Sequence, residues 1–555
     1  MDENPTSDIL SNKEVENAQT VINTSRLNGE TVSGIKFNKT VSLQAEPAVS
    51  SVLSQSPIPS EVPTPPLPVE NKPAAWLQFP RRVIFLLISA GLTVGVIIGL
   101  QRWTDYELTR TELNRNTQLL WDTLPNTLLI LFLVFLTAFL AAILPTLIGI
   151  LIHWLETIAG LPASVFKGLG RVVAFSVAGV PVVCAAYLLI YLFAVELDIL
   201  PLSGFYSVGS DRTLGDVFLH LILPVTAVSL YPALLTAQAV TREITLPRNG
   251  AAPRGMLAGI FKGLSVLVMQ TGGILSAIMI AEIVFKLPGT GNAMVAAVMK
   301  SEPDFLFRGM FALAVVTLLG RLTGELLAWA GRLVNQPARV PQPSIPRHRT
   351  IARLVWLILC LLLLASPIFI AVRAGGIPEH LATQANPQEK SQSPSEIHPW
   401  GTDVLGRDGL AQAYLGTRNT LWRAILAAGI VLLPALIGGA IFAYLHSLRR
   451  WWSESLADLL LIPTDSLLLL PALPFYLILY LGIQRKGIDI SWGSIMILVG
   501  ILLLPRAMRV FQAMWTPVYR FRLAFLRFLP ALGSLIFGVV FTGFTLLVFM
   551  DSLGI

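Results

Sequence analysis

The sequence predicts an all-α, polytopic membrane protein with about 11 transmembrane helices. From residue 83 onward the chain is a series of uncharged or weakly charged apolar runs, most of them near twenty residues long. A helix of about 20 residues crosses a hydrocarbon core of about 30 Å and satisfies its own backbone polar groups there. Hydrophobic residues make up 54% of the chain and charged residues 13%. Since soluble proteins carry about 25% charged residues, this composition is not that of a water-soluble protein.

Short polar loops separate the predicted spans. Lysine and arginine concentrate in alternate loops, which places the N-terminus in the cytoplasm and, with an odd number of spans, the C-terminus outside. The eleven apolar runs cover residues 83–100, 124–152, 172–196, 217–238, 264–286, 306–333, 352–372, 419–445, 457–482, 491–512 and 530–549.

The N-terminal residues 1–76 differ in composition from the rest of the chain. They are rich in Ser, Thr, Asn and Pro, and they lack the apolar surface that a folded domain needs. They also lack the basic start and short apolar run of a signal peptide. We therefore expect a disordered cytoplasmic tail.

A basic, proline-rich stretch, Val334–Thr350, divides the predicted spans into two groups. The first half, residues 77–338, contains six spans, and the second half, residues 339–555, contains five. Two halves that run in the same sense through one membrane are a common plan for transporters.

The composition argues against several classes of function. Cys184 and Cys360 lie in apolar runs, and the six histidines are scattered, so we expect neither a disulfide nor a metal site. The net charge of +7 resides in the loops between spans, which favours membrane topology over nucleic-acid binding. No Walker A string occurs, so the chain itself is not expected to hydrolyse ATP. No catalytic constellation predicts an enzyme.

The loop after the seventh span contains a conspicuous string, H-P-W-G-T-D-V-L-G-R-D, from His398 to Asp408. Gly401 and Gly406 permit positive φ, which predicts a tight turn. Asp403 and Asp408 can cap local amides and pair with Arg407, and Thr402 lies between them. The string therefore predicts a rigid turn outside the cytoplasm.

Three more strings lie in the first half. Leu120–Leu129 reads L-W-D-T-L-P-N-T-L-L, and Phe218–Pro224 reads F-L-H-L-I-L-P. Ala281–Gly291 reads A-E-I-V-F-K-L-P-G-T-G, in which the distinctive positions are Glu282, Phe285, Pro288, Gly289 and Gly291. These strings resemble the first permease of the dipeptide, oligopeptide and nickel importers of the ATP-binding-cassette (ABC) superfamily. The His398–Asp408 string resembles the second permease of the same systems.

The resemblance implies two permeases fused in one chain, in a bacterial inner membrane. It implies transport of peptide, nickel or a related small solute. The implied partners are ABC ATPase subunits, an extracytoplasmic solute-binding protein and the lipid bilayer, with ATP bound by the separate ATPase rather than by this chain. Basic loops would face the ATPase through Arg242, Arg248, Arg254, Arg506, Arg509 and Arg520.

The sequence departs from the family where the ATPase would dock. Members carry a cytoplasmic docking helix between the fourth and fifth spans, but here Pro247 and Pro253 forbid a continuous helix. The corresponding stretch of the second half, 509–530, is also short, and the family's last span is missing from the sequence. An alternative therefore stays open: a degenerate permease that is retained as a non-transporting structural or assembly subunit of another membrane complex.

Several polar residues fall inside predicted spans. Arg321 and Glu325 stand where the family usually has Asn and Asp, and their i,i+4 spacing predicts either a mutual pair or a place in the solute pathway. Glu282 and Lys286 have the same spacing and the same two interpretations. Asp465 follows Pro463, which favours capping of a helix end over a pathway role.

Overall fold

The computed structural model describes the two predicted halves over most of their length. The described residues are 75–104, 110–159, 180, 182–207, 209, 213–245, 252–334, 369, 372–373, 376–447, 451–487, 504 and 507–508. Across these ranges the regular structure is helical, and the only β pairing is an isolated bridge between Thr402 and Asp408. The predicted all-α class is confirmed. Residues 1–74 of the predicted N-terminal tail lie outside the described residues, and its last two residues, Ala75 and Trp76, begin a helix.

The described part of the first half contains nine α-helices. Apolar runs with few charged residues form most of them, because the helix is the backbone arrangement that lipid favours. A π-helical segment, Ile190–Glu196, continues the fourth helix. The helices are α1 (Ala75–Trp103), α2 (Arg110–Ala141), α3 (Ile143–Ala159), α4 (Val182–Leu189), α5 (Leu214–Ile244), α6 (Ala252–Met269), α7 (Thr271–Val284), α8 (Thr290–Met299) and α9 (Pro303–Val334).

The described part of the second half begins with a compact loop and continues in long helices. Within the loop lie a short helix, α10 (Glu379–Thr383), and a 3₁₀ turn, Pro387–Glu389. The long helices are α11 (Gly409–Ser447), α12 (Trp451–Leu469) and α13 (Ala472–Arg485).

Membrane-spanning helices account for much of the described structure. Four helical stretches are long and apolar enough to cross a bilayer, and up to six are if each of two bent pairs counts as one span. The protein is therefore a multi-pass membrane protein. The count of 11 spans stays a prediction, because the apolar runs 352–372, 491–512 and 530–549 lie almost wholly outside the described residues.

Two predicted spans are broken helices. The run 264–286 bends by 56° between α6 and α7, at Gln270. The run 457–482 bends by 91° between α12 and α13, where Pro471 caps α13. Proline lacks a backbone N–H, and Pro471 lies where α12 gives way to α13, whereas no proline marks the bend at Gln270.

Helices α5 and α6 form an antiparallel hairpin between the predicted fourth and fifth spans. Only residues 245–251 join the two helices. A Cβ on Gly259 would lie 3.0 Å from Ile244, and one on Gly263 would lie 2.4 Å from Val240. These glycines let the two helix backbones approach closely near the residues that join them.

The described parts of the two predicted halves pack against each other within one compact unit, residues 73–555. In the interior, the Thr93 hydroxyl of α1 donates to the Ser466 carbonyl of α12 at 3.0 Å. At the ends of the helices, the Arg485 guanidinium donates to the Ser301 carbonyl at 3.1 Å. The predicted boundary between the halves, at residue 338, lies outside the described residues.

Candidate functional site

A buried carboxylate lies where α7 turns into α8. The Glu282 side chain, near the end of α7, is fully buried. It accepts hydrogen bonds from the Thr127 hydroxyl at 2.6 Å, from the Gly291 amide at 2.6 Å and from the Asn292 amide at 3.3 Å. Buried carboxylates are costly unless they are hydrogen-bonded, and these three donors provide that compensation.

The local sequence explains how α8 turns onto this carboxylate. Gly289 caps the N-terminus of α8, so the first amides of the helix point at Glu282. A Cβ on Gly289 would lie 2.1 Å from the carboxyl carbon, and one on Gly291 would lie 2.6 Å from the Met279 Cα. Glycine at both positions therefore lets α8 fold back onto the end of α7.

The same contacts bring together two strings that lie far apart in the sequence. Asn126 of the Leu120–Leu129 string donates to the Pro288 carbonyl at 2.8 Å. Thr127 accepts from the Thr290 amide at 2.9 Å while it donates to Glu282. Sequence reasoning did not pair these strings, although both contain polar residues inside apolar runs, and such residues need partners in lipid. We call Asn126, Thr127, Glu282 and Thr290 the Glu282 niche.

Phe285 connects the end of α7 to the loop that contains Gly204. Its side chain is buried, and its carbonyl accepts from the Gly204 amide at 2.8 Å. Pro288 is exposed at the turn that precedes α8. All five residues that the Ala281–Gly291 string singled out thus lie between the last turn of α7 and the first turn of α8.

The predicted pairing of Glu282 with Lys286 is wrong. An i,i+4 contact needs a helix that continues through both residues, but α7 ends at Val284. Lys286 has a positive φ of 52° and an exposed side chain. The carboxylate turns to the amides of α8 instead.

Arg321 and Glu325 of α9 each contact a residue of another helix rather than each other. Arg321 Nη1 lies 3.9 Å from the Asp465 carboxylate of α12. Glu325 accepts from the Arg82 guanidinium of α1 at 3.1 Å. Asp465 lies inside α12 rather than at its end, so the predicted capping role is also wrong. The contact between Arg321 and Asp465 ties the first half to the second.

The His398–Asp408 string forms the predicted tight turn. Gly401 and Gly406 have φ values of 70° and 78°, which confirms the glycine prediction. The Thr402 hydroxyl donates to the Glu389 carbonyl and accepts from the Gln392 amide. Asn386 and Ser391 donate their amides to the Leu405 and Asp403 carbonyls at 2.9 Å each. The string is therefore fastened to the segment that precedes it.

Both acidic residues of the string act as amide caps. Asp403 accepts from the amides of Leu405 and Arg407 and from the Arg407 side chain, all at 2.8–2.9 Å. Asp408 accepts from the Ala411 amide at 2.6 Å in the first turn of α11. Asp408 also binds His398 Nδ1 at 2.7 Å, a partner that the sequence analysis did not identify.

We expect this turn to keep its structure in mild acid. Hydrogen bonds from Arg407 and its neighbours hold the pKa of Asp403 well below its usual value. A carboxyl with a lowered folded pKa stabilises the fold above its unfolded pKa, and that stabilisation is lost as pH falls through the folded value. Amide hydrogen exchange of 403–407, corrected for intrinsic rates, should therefore stay slow down to about pH 4.

Asp403→Asn is the matching variant for that measurement. It should speed exchange of 403–407 at neutral pH, because the amide cannot form the charge-assisted bonds. Below about pH 4, where the wild-type cap begins to be lost, the corrected exchange of these amides in the variant should not change further, since the titrating group is gone. Equal exchange in both proteins at every pH would contradict the assignment of the cap to Asp403.

The predicted ATPase-facing arginines are only partly described. Arg242 lies exposed in the last turn of α5. Arg254 lies in the first turn of α6, where the backbone alone is described. Arg248, Arg506, Arg509 and Arg520 lie outside the described residues.

Comparison with known proteins gives a partial match. The chain is 31% identical over 137 residues to a probable peptide ABC transporter permease protein of Sinorhizobium fredii. The aligned segment covers 21% of this chain and 42% of the relative, so the chain matches less than half the relative's length. No family model matches the chain, and no solved structure matches it. The likeness supports the permease resemblance over part of the chain.

Proposed function

We propose that the protein is a transmembrane permease subunit of an ABC importer in a bacterial inner membrane. Its solute is a peptide, nickel or a related small solute. A separate ATPase binds the ATP, and an extracytoplasmic binding protein delivers the solute. The N-terminus is cytoplasmic, and the turn at 401–408 lies outside. The partial likeness to a probable peptide ABC transporter permease carries the proposal.

The arrangement of the broken helices supports a pathway between the two halves. The bends at Gln270 and Pro471 are neighbours, since a Cβ on Gly272 would lie 3.5 Å from the Leu468 carbonyl. Buried hydroxyls of Thr93, Thr271 and Ser466 lie near these bends. Transporters commonly place their solute sites at interrupted helices near the midplane, where backbone polar groups become available.

Purification and uptake together test this function. The full chain, tagged and purified from its native host in mild detergent, should recover an ABC ATPase identified by mass spectrometry. A strain that lacks the gene should lose uptake of radiolabelled trialanine or of radiolabelled nickel, and the gene in trans should restore it. A complex that contains other membrane subunits, no nucleotide-binding subunit and no uptake defect would favour a non-transporting assembly subunit instead.

A further inference from the structure

One end of α1 and α9 carries a compact cluster of cationic and aromatic residues. Phe79 and Arg82 lie three residues apart on α1, and Glu325, Trp329 and Arg332 share one face of α9 at i, i+4 and i+7. The Phe79 and Trp329 rings lie 5.3 Å apart, and Arg82 binds Glu325. Arg82 and Glu325 both act electrostatically on Arg332. We call Arg82, Trp329 and Arg332 the basic cluster.

The basic cluster contains hydrogen-bond donors that have no acceptor among the described residues. They are Trp329 Nε1 and the Nε and Nη2 atoms of Arg332, all of which are buried. Indole and guanidinium nitrogens donate and do not accept. Two arginines against the single carboxylate of Glu325 also leave one positive charge in excess. An anion with several acceptor oxygens would satisfy both the donors and the excess charge.

The position of the cluster indicates where such an anion would come from. The 32 residues of α9 extend about 48 Å, longer than a hydrocarbon core of about 30 Å, so its ends reach the headgroup region. Aromatic residues concentrate at that depth in membrane proteins. Ile84, Leu326 and Leu333 beside the cluster are exposed apolar side chains, which acyl chains would cover. A phospholipid matches both the donors and this apolar rim.

We propose that Arg82, Trp329 and Arg332 bind the phosphate headgroup of an anionic phospholipid in the leaflet at this end of α1 and α9. The phosphate oxygens would accept from Arg332 and Trp329, and Arg82 would add charge while it stays bound to Glu325. Basic pockets between transmembrane helices bind anionic lipid headgroups in this manner. The proposal depends on the membrane-spanning fold and not on transport, so either can fail without the other.

Native mass spectrometry of the full chain in mild detergent tests the site. Phosphatidylglycerol and phosphatidylcholine with the same acyl chains should be titrated separately. We expect the wild-type protein to bind one phosphatidylglycerol more tightly than phosphatidylcholine. Arg332→Gln should weaken phosphatidylglycerol binding about fivefold, the factor that corresponds to about 1 kcal/mol, and leave phosphatidylcholine binding unchanged. Arg332→Lys keeps the charge but loses the guanidinium fork, so its affinity for phosphatidylglycerol should lie between those of the wild type and Arg332→Gln.

The matched control is Arg102→Gln, which removes an exposed arginine from the other end of α1. It should leave phosphatidylglycerol binding unchanged. Equal weakening by Arg102→Gln, or equal weakening for both lipids, would overturn the proposal. Displacement of the lipid by inorganic phosphate at the same concentration would show that the cluster recognises a free anion rather than a lipid. The thermal midpoint of each variant without added lipid shows whether the fold is intact, and Arg332→Lys serves if Arg332→Gln is unfolded.

Discussion

Glu282→Ala should lower the free energy of unfolding in detergent by about 3 kcal/mol or more. The change removes the carboxylate that accepts from Thr127, Gly291 and Asn292, and it leaves these donors without their acceptor. A hydrogen bond contributes about 0.5–1.5 kcal/mol net, and an unsatisfied buried donor costs about 1–3 kcal/mol. Thermal unfolding of the purified protein measures the loss.

Two further variants separate the niche from general sensitivity to mutation. Glu282→Gln keeps one acceptor oxygen but turns an amide toward the donors, so it should have an intermediate effect. Glu302→Gln alters a carboxylate that pairs with exposed Arg115 at 3.1 Å, and it should change stability by no more than about 1 kcal/mol. If Glu282→Ala and Glu302→Gln were equally mild, the role assigned to the niche would be wrong.

Gly406→Ala should disrupt the turn before α11. Gly406 has a φ of 78°, and a Cβ there would lie 1.8 Å from the Asn386 carbonyl oxygen. Both the backbone conformation and the clash with main-chain atoms act against alanine, so the loop must move. We expect a local loss of about 2–3 kcal/mol, seen as faster hydrogen exchange across residues 386–408.

Gly416→Ala is the control for that change, because it lies in α11 and a Cβ there would meet nothing within 4 Å. Alanine is a better helix former than glycine, so this variant should stabilise α11 by about 0.5–1 kcal/mol. Slow exchange of 386–408 in Gly406→Ala, as in Gly416→Ala, would show that the loop tolerates the side chain.

Features that depend on local chemistry were predictable from the sequence. Apolar runs predicted the long helices, Pro471 fits the break before α13, and Gly401 and Gly406 indicated positive φ. Each of these follows from a residue's own backbone preference or from the length of an apolar segment. The packing of the helices is compatible with each of these local preferences.

Contacts between distant helices were not predictable in the same way. The i,i+4 spacing suggested partners on the same helix for Glu282 and Glu325, whereas the structure supplies Thr127 and Arg82. Spacing reports only which residues share a helix face, and a partner from another helix leaves no local signal. The bend at Gln270 is similar, because no proline marks it and it coincides with the packing of Gly272 against Thr317 and Leu468.

The Glu282 niche also has a consequence for how the chain is built into the membrane. The carboxylate sits on α7, one donor comes from α2, and the amides come from α8, which is synthesised after α7. A nascent chain that has emerged only as far as Val284 therefore carries an acidic group without its full set of donors. We expect α7 to enter lipid more readily once α2 and α8 can supply these donors, so that the three helices insert cooperatively.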